Sequence, residues 1–342
     1  MKNFEVITPS DLSHASKLLA RPGHIALAGG VDTIDLMKQD LVAPSVLVNL
    51  KELKELRGIE HLSDGTLRVG ALARLSEVAL DKRINEQFTA LSEAANEAAT
   101  PQIRNLGTVG GNLLQRPRCW YFRHPDVHCL KKGGEKCYAI GGLNRYHSIF
   151  GGGPSYIVHP SNLAPALMAL GARLKIFSAS GEREVTLDNF FTLPSVDPTR
   201  ENSRKAGEIL TAVVIPPIPG LRSNYMEVRE KQSFDWPLVS VAVALSRKGQ
   251  PLSASVVLGA VAPVPWRATE AEKVLRETVK EGALDERAAA AAADAALKNA
   301  QPMSDNAYKV VLAKVLIRRA LIKAVSQGPA RVGSLSSPVS GT

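Results

Sequence analysis

The 342-residue sequence predicts an α/β chain of two or three domains that ends in a smaller α+β unit. Three observations carry this. Strand and helix patterns alternate over the first fifty-odd residues. A stiff "PPIPG" junction at 216–220 marks a boundary, and beyond it two strands are followed by helices. At 45% apolar residues, a chain of this length can bury a large core.

The elements follow in order. "HIALAGG" reads as a buried strand ending in glycines, "DTIDLMKQ" as the helix after it and "SVLVNL" as the next strand. "TLRVGALARLSEVAL" is strand then helix, and "FTALSEAANEAAT" a second helix, with Pro101 marking its end. "ARLKIFSASGEREVTLDNFF" reads as a hairpin turning near Ser180-Gly181. "LVSVAVALSRKGQPLSASVVLGAV" predicts two antiparallel strands joined at Lys248-Gly249, before the helices "DERAAAAAADAALKNA" and "AYKVVLAKVLIRRALIKAV". The tail 327–342 has the composition of a disordered segment. The expected units are 1–55, 56–220 (with a cysteine-bearing loop at 116–155) and 221–326.

Composition excludes several classes. No apolar run approaches the roughly 18 residues of a membrane helix. The start "MKNFEVITPS" lacks a signal-peptide layout and a twin arginine, so a cytoplasmic protein is expected, with export alongside a partner as the alternative. Three cysteines are too few for a disulfide framework. The net charge of +9 is concentrated locally: from Arg104 to Arg145 there are eight Lys or Arg against two acids. No nucleic-acid reading motif accompanies it, so nucleic acid is not an expected partner.

Two glycine-rich turns are candidate anion sites. "LAGGVDT", 27–33, sits between a strand and a helix, where successive backbone N–H groups form a nest suited to a pyrophosphate. It matches neither G-x-G-x-x-G nor a Walker A loop, and a plain tight turn explains it equally well. "TPQIRNLGTVGGNL", 100–113, offers a second set of backbone donors, with Thr108 and Asn112 adding side-chain bonds. Close packing alone is the competing reading. Together the turns favour a bound dinucleotide.

The stretches "LAGGVDTIDLM", "ATPQIRNLGTVGGNLLQRPRCWYFR", "GGGPSYIVHPSNLAPALMALGA", "REKQSFDWPLVSVAVAL" and "QPMSDNAYKVVLAKVLIRRAL" resemble, in order, the FAD-binding (medium) subunits of the xanthine dehydrogenase and molybdenum hydroxylase family. Within it, the chain is most similar to aldehyde oxidoreductase subunits with an extra cysteine loop. The resemblance implies a two-lobed FAD-binding domain of the PCMH type and a C-terminal domain of the CO-dehydrogenase-flavoprotein kind. It also implies a heterotrimer with a molybdenum-cofactor large subunit and a small subunit holding two [2Fe–2S] clusters. FAD would relay electrons to an external acceptor, and no catalytic residue is assigned to this chain. Ile25, Ala26, Leu27, Ala28, Gly29, Gly30, Val31, Asp32 and Thr33 would hold the pyrophosphate, joined by Thr100, Gly107, Thr108, Gly111 and Asn112. Ile209 and Leu210 would lie near the isoalloxazine, with Lys231 and Trp236 as neighbours.

The resemblance further implies a [4Fe–4S] cluster on Cys119, Cys129 and Cys137, spaced C-x9-C-x7-C, with Arg116, Arg118, Lys132 and Lys136 offsetting its charge. Relatives carry a fourth cysteine where this chain has Ser155, a poorer ligand for iron. An incomplete cluster, its loss, a histidine substitute (His124, His128 or His147) or a zinc site are the alternatives. Two more departures stand on the flavin side. Asn162, after an expected helix cap at Ser161, replaces an aspartate that accepts from FAD hydroxyls, and Glu227 replaces a lysine. A stand-alone flavin oxidase or reductase, or a non-enzymatic Fe–S or zinc protein, are the competing functions.

Overall fold

The computed structural model describes residues 1–231, 233–246, 252–279 and 284–326. The Lys248-Gly249 turn and the 327–342 tail lie outside them.

The first unit is a parallel sheet of β1 (Glu5–Ile7), β2 (His24–Leu27) and β3 (Val46–Asn49), ordered β1-β3-β2. Two helices make the crossovers, α1 (Leu12–Leu19) and α2 (Thr33–Lys38). Central β3 reads "VLVN" because both its faces are covered, as parallel strands require. Ala15 and Leu18 of α1 pack on Val46 and Val48. The pair β1 and α1 does not stand out in the sequence, since "EVI" is only three residues long.

The second unit begins with β4 (Ile59–His61) and β5 (Leu67–Gly70) and a helical run: α3 (Leu75–Leu80), α4 (Lys82–Gln87), α5 (Thr89–Glu97), α6 (Pro101–Arg104), α7 (Val109–Leu114) and α8 (Trp120–Arg123). After the cysteine loop come α9 (Leu163–Ala169), the hairpin β6 (Arg173–Ser178) and β7 (Gly181–Thr186), α10 (Leu187–Phe190) and β8 (Ile209–Ile215). The five strands form one antiparallel sheet, ordered β4-β5-β8-β6-β7. Helix α9, "LAPALMA", is buried on every side, so it is apolar all round and lies in the middle of the molecule. Pro101 does more than end α5: it stands in the first turn of α6, with Thr100 Oγ1 accepting from Ile103 N at 3.2 Å.

The C-terminal unit is an antiparallel sheet of β9 (Arg222–Val228), β10 (Val239–Ser246), β11 (Ser253–Gly259) and β12 (Trp266–Arg267), covered by α11 (Thr269–Thr278), α12 (Glu286–Leu297) and α13 (Tyr308–Ser326). Strand β10 explains the continuous run "VSVAVALS". Val239, Val241, Val243 and Leu245 face the helical layer, while Ala242 and Ala244 face the core of the second unit. The small side chains on one face let the two units approach closely.

Candidate functional site

A cleft of about 850 Å³ opens between the first two units. Its floor is the turn between β2 and α2. Among the described residues, no acceptor takes the backbone N–H groups of Gly29, Gly30, Val31, Asp32 and Thr33. Five neighbouring donors of this kind are a built cradle for anionic oxygens. Gly29 makes the cradle possible: a Cβ there would sit 1.9 Å from Leu106 O, so the two glycine turns meet backbone to backbone. Gly30 has φ +77°, the left-handed region that favours glycine.

The second turn contributes differently from expectation. Its amides are taken up internally: Gly107 N donates to Ile103 O, Val109 N to Ala73 O, Gly110 N to Ala71 O and Gly111 N to Thr108 Oγ1. What it offers the cleft is a side chain. Asn112 Oδ1 accepts from Ser161 Oγ at 2.6 Å and from Leu163 N at 3.4 Å, which turns the Nδ2 donors toward the cleft. Ser161 caps α9 as expected, its Oγ accepting from Ala164 N at 3.0 Å.

Opposite, Asn162 is oriented the other way. Its Nδ2 donates to Glu227 Oε2 at 2.8 Å and, more weakly, to Tyr225 Oη at 3.4 Å, leaving Oδ1 as the acceptor. Glu227 is buried, and burial pushes its carboxyl pKa up despite three hydrogen-bond donors. Ile103, Leu72, Leu75, Ile209 and Leu210 form apolar walls. Phe234 and Trp236 stand at the mouth, and the Arg118 guanidinium lies 4.7 Å from the Trp236 ring.

Every proposed FAD residue lines this cleft except Leu27 and Lys231. Leu27 packs under the turn, its Cδ1 facing Gly30. Lys231 lies across Glu227 in a second cavity, with Glu93, Glu97 and Arg229. Arg229 lies beside it and clamps the end of α5 through Glu97 at 2.9 Å. Ile103, Phe234 and the paired Glu208 escape a sequence reading, since nothing in their local sequence ties them to the glycine turns.

The cysteine loop is lashed to the cleft. Arg116 N donates to Asp32 Oδ2 at 2.8 Å, while Arg118 and Arg123 pair with Asp32 Oδ1 at 2.9 and 2.8 Å. Arg116 also pairs with Glu201, Lys132 Nζ donates to His124 O, and Lys136 lies over Tyr138. Arg116, Arg118, Lys132 and Lys136 thus each have a partner of their own within the fold. All three cysteines are free. Burial pushes the Cys119 thiol up to about 12, with Cys137 and Cys129 close enough to add to the shift. Cys119 Sγ lies 3.3 Å from His147 Nε2, and Cys129 packs with Leu36 and Phe122. Among the described residues, no three His, Cys, Asp or Glu side chains converge as they would on a metal ion. The thiols as placed do not fit a single-ion centre, so the zinc alternative finds no geometry here.

Residues 2–218 match the family model "FAD binding domain in molybdopterin dehydrogenase", and 223–324 match "CO dehydrogenase flavoprotein C-terminal domain". The chain belongs to the FAD-binding medium subunits of the molybdenum hydroxylase family. It is 34% identical to the aldehyde oxidoreductase FAD-binding subunit PaoB of Escherichia coli (strain K12), over 96% of this chain and 100% of that one. Among solved structures, a carbon monoxide dehydrogenase chain from Hydrogenophaga pseudoflava superposes with a TM-score of 0.73 at 25% identity, covering 96% of this chain and 99% of that one. A quinoline 2-oxidoreductase chain from Pseudomonas putida 86 gives 0.73 at 26%, covering 95% and 99%. The cradle of free amides, the Gly29 contact and the paired donor and acceptor amides fit FAD. None of the described helices is long and apolar enough to cross a membrane.

Proposed function

We propose that this chain is the electron-transfer flavoprotein of an aldehyde-oxidoreductase-type complex, beside a molybdenum-cofactor large subunit and a small subunit with two [2Fe–2S] clusters, assembled in the cytoplasm. FAD, when bound, supplies the redox chemistry that links those clusters to an external acceptor. The chain itself binds and orients. The Gly29–Thr33 amides and Asn112 Nδ2 would hold the pyrophosphate, Asn162 Oδ1 would accept from a hydroxyl, and Ile209 and Leu210 would exclude water from the ring system. The single observation that carries this reading is the five-amide cradle opening into a cleft of dinucleotide size. A stand-alone oxidase or reductase would call for a domain over the cleft, and here β10 packs on the core behind it.

A second cofactor, an iron–sulfur cluster, rests on sequence alone, on three free thiols spaced C-x9-C-x7-C in one loop; as placed among the described residues they do not converge on a metal centre. One experiment addresses both. Absorbance spectra of the purified chain before and after dithionite, with iron and acid-labile sulfide assayed, are expected to show flavin at about one per chain. The chain alone should not oxidise aldehydes or purines. Folded protein that neither holds nor takes up FAD would overturn the reading. Flavin without iron would keep it and remove the cluster.

A further inference from the structure

Behind the cleft wall, outside the residues that line the cleft, sits a buried carboxylate. The side chain of Glu227 is 3% exposed. Its Oε2 accepts from Asn162 Nδ2 at 2.8 Å and Tyr225 Oη at 2.7 Å, and its Oε1 accepts from Arg229 Nε. Arg229 is held in turn by Ser233 O at 2.7 Å and by the Glu97 carboxylate at 2.9 Å. Glu97 ends α5, and the next three residues, Ala98, Ala99 and Thr100, line the cleft.

An amide side chain presents an acceptor on one side and donors on the other, so its value to a ligand depends on which way it is turned. Asn162 has both possibilities. A carboxylate accepts only, so it draws Nδ2 backward and leaves Oδ1 for the cleft. A positively charged or donating group at position 227 would reverse the amide and meet the ligand's hydroxyls with N–H groups.

We propose that Glu227 is a positioning residue for the flavin: it sets the orientation of the Asn162 amide and, through Arg229 and Glu97, holds the opposite edge of the cleft. This rests on the chain binding FAD, and the test separates the two claims. The full chain, stripped of flavin, is titrated with FAD by fluorescence, and each variant's unfolding midpoint is recorded without FAD.

Replacing Glu227→Lys should weaken FAD binding by about tenfold, the effect of losing one hydrogen bond and setting a buried donor against the ligand's hydroxyl. Glu227→Gln keeps the shape and one acceptor, so it should stay folded and lose only about two- to fivefold. The double variant Asn162→Asp with Glu227→Lys should recover most of the affinity. The carboxylate introduced by Asn162→Asp would engage the new ammonium through one oxygen and offer the other to the cleft, whichever way it is turned. Recovery in the double variant is a result that a purely structural Glu227 would not produce. Affinity unchanged in Glu227→Lys, or lost in it without recovery in the double variant, overturns the proposal. If the parent chain takes up no FAD, the flavin reading fails first and this proposal with it.

Discussion

Gly29 shows how much of the site rests on single atoms. Its missing side chain lets the first glycine turn touch Leu106 O, and that contact aims five amides into one cleft. Gly29→Ala would force the turns apart, at a cost of about 1–3 kcal/mol in overpacking. We expect a lower melting temperature and FAD affinity reduced at least about tenfold, read by thermal shift and fluorescence titration. Both glycine turns are legible in the sequence. Which of their groups remain free is not, because two amides of the second turn, Val109 N and Gly110 N, are taken by Ala73 and Ala71, some forty residues earlier in the chain. The donor that survives there is Asn112 Nδ2, fixed by Ser161 from a third segment. Asn112→Asp would keep the Ser161 bond and replace donors with a charged acceptor beside the pyrophosphate. Its FAD affinity should fall by at least about tenfold with the fold intact.

Regular elements with a clear period are legible in the sequence, among them β2, β3, the β6–β7 hairpin, α12 and α13. Alternation in β10 gives the strand but hides its double duty, since Val and Ala look alike in a hydrophobic run and only the neighbours tell the faces apart. The cysteine loop is the hardest to read. Arg116, Arg118 and Arg123 pair with Asp32, Asp35 and Glu201, acids that lie more than eighty residues away from them in the chain. Charge counting places the excess there but cannot see its partners. Helix α2 is thus both the edge of the cradle and the anchor of the loop. Asp32→Asn would weaken two ion pairs at once. Each charge-assisted bond is worth about 1.5–3 kcal/mol. We expect trypsin to cut at Arg118 or Arg123 several-fold faster in this variant, with the rest of the chain as resistant as before; Arg116 is shielded by the following Pro117.

At the scale of the whole molecule, four separate hydrophobic clusters among the described residues are bridged by buried polar groups, and the titratable ones among these make stability depend on pH. Asn306 donates to His147 O and Ser148 O at 3.1 and 3.2 Å, and the buried Lys309 donates to Tyr146 O and Ala260 O at 3.0 and 2.8 Å, so the end of the cysteine loop is stapled to the C-terminal unit. His159 follows the loop, and its backbone N–H donates to Ala262 O of the C-terminal unit at 2.9 Å. It is 3% exposed, its ring is edge-on to Phe191 at 4.6 Å, and its Nε2 has no partner among the described residues. Burial, helped by the charge of Lys131, holds its imidazole down at about 4. In the unfolded chain the same group takes up its proton near pH 6.5. The unfolded state therefore binds the proton first as the solution is acidified. Stability from keeping His159 neutral is complete above about pH 6.5 and is lost as pH falls toward 4, with a slope approaching 1.4 kcal/mol per pH unit. Urea unfolding measured at about pH 5 and about pH 7.5 should show the chain weaker at the acidic value, and His159→Gln should flatten the difference by about one proton. A pH dependence identical in the variant would mean that His159 is solvated enough to titrate normally, and that its packing against Phe191 is looser than the 4.6 Å ring contact implies.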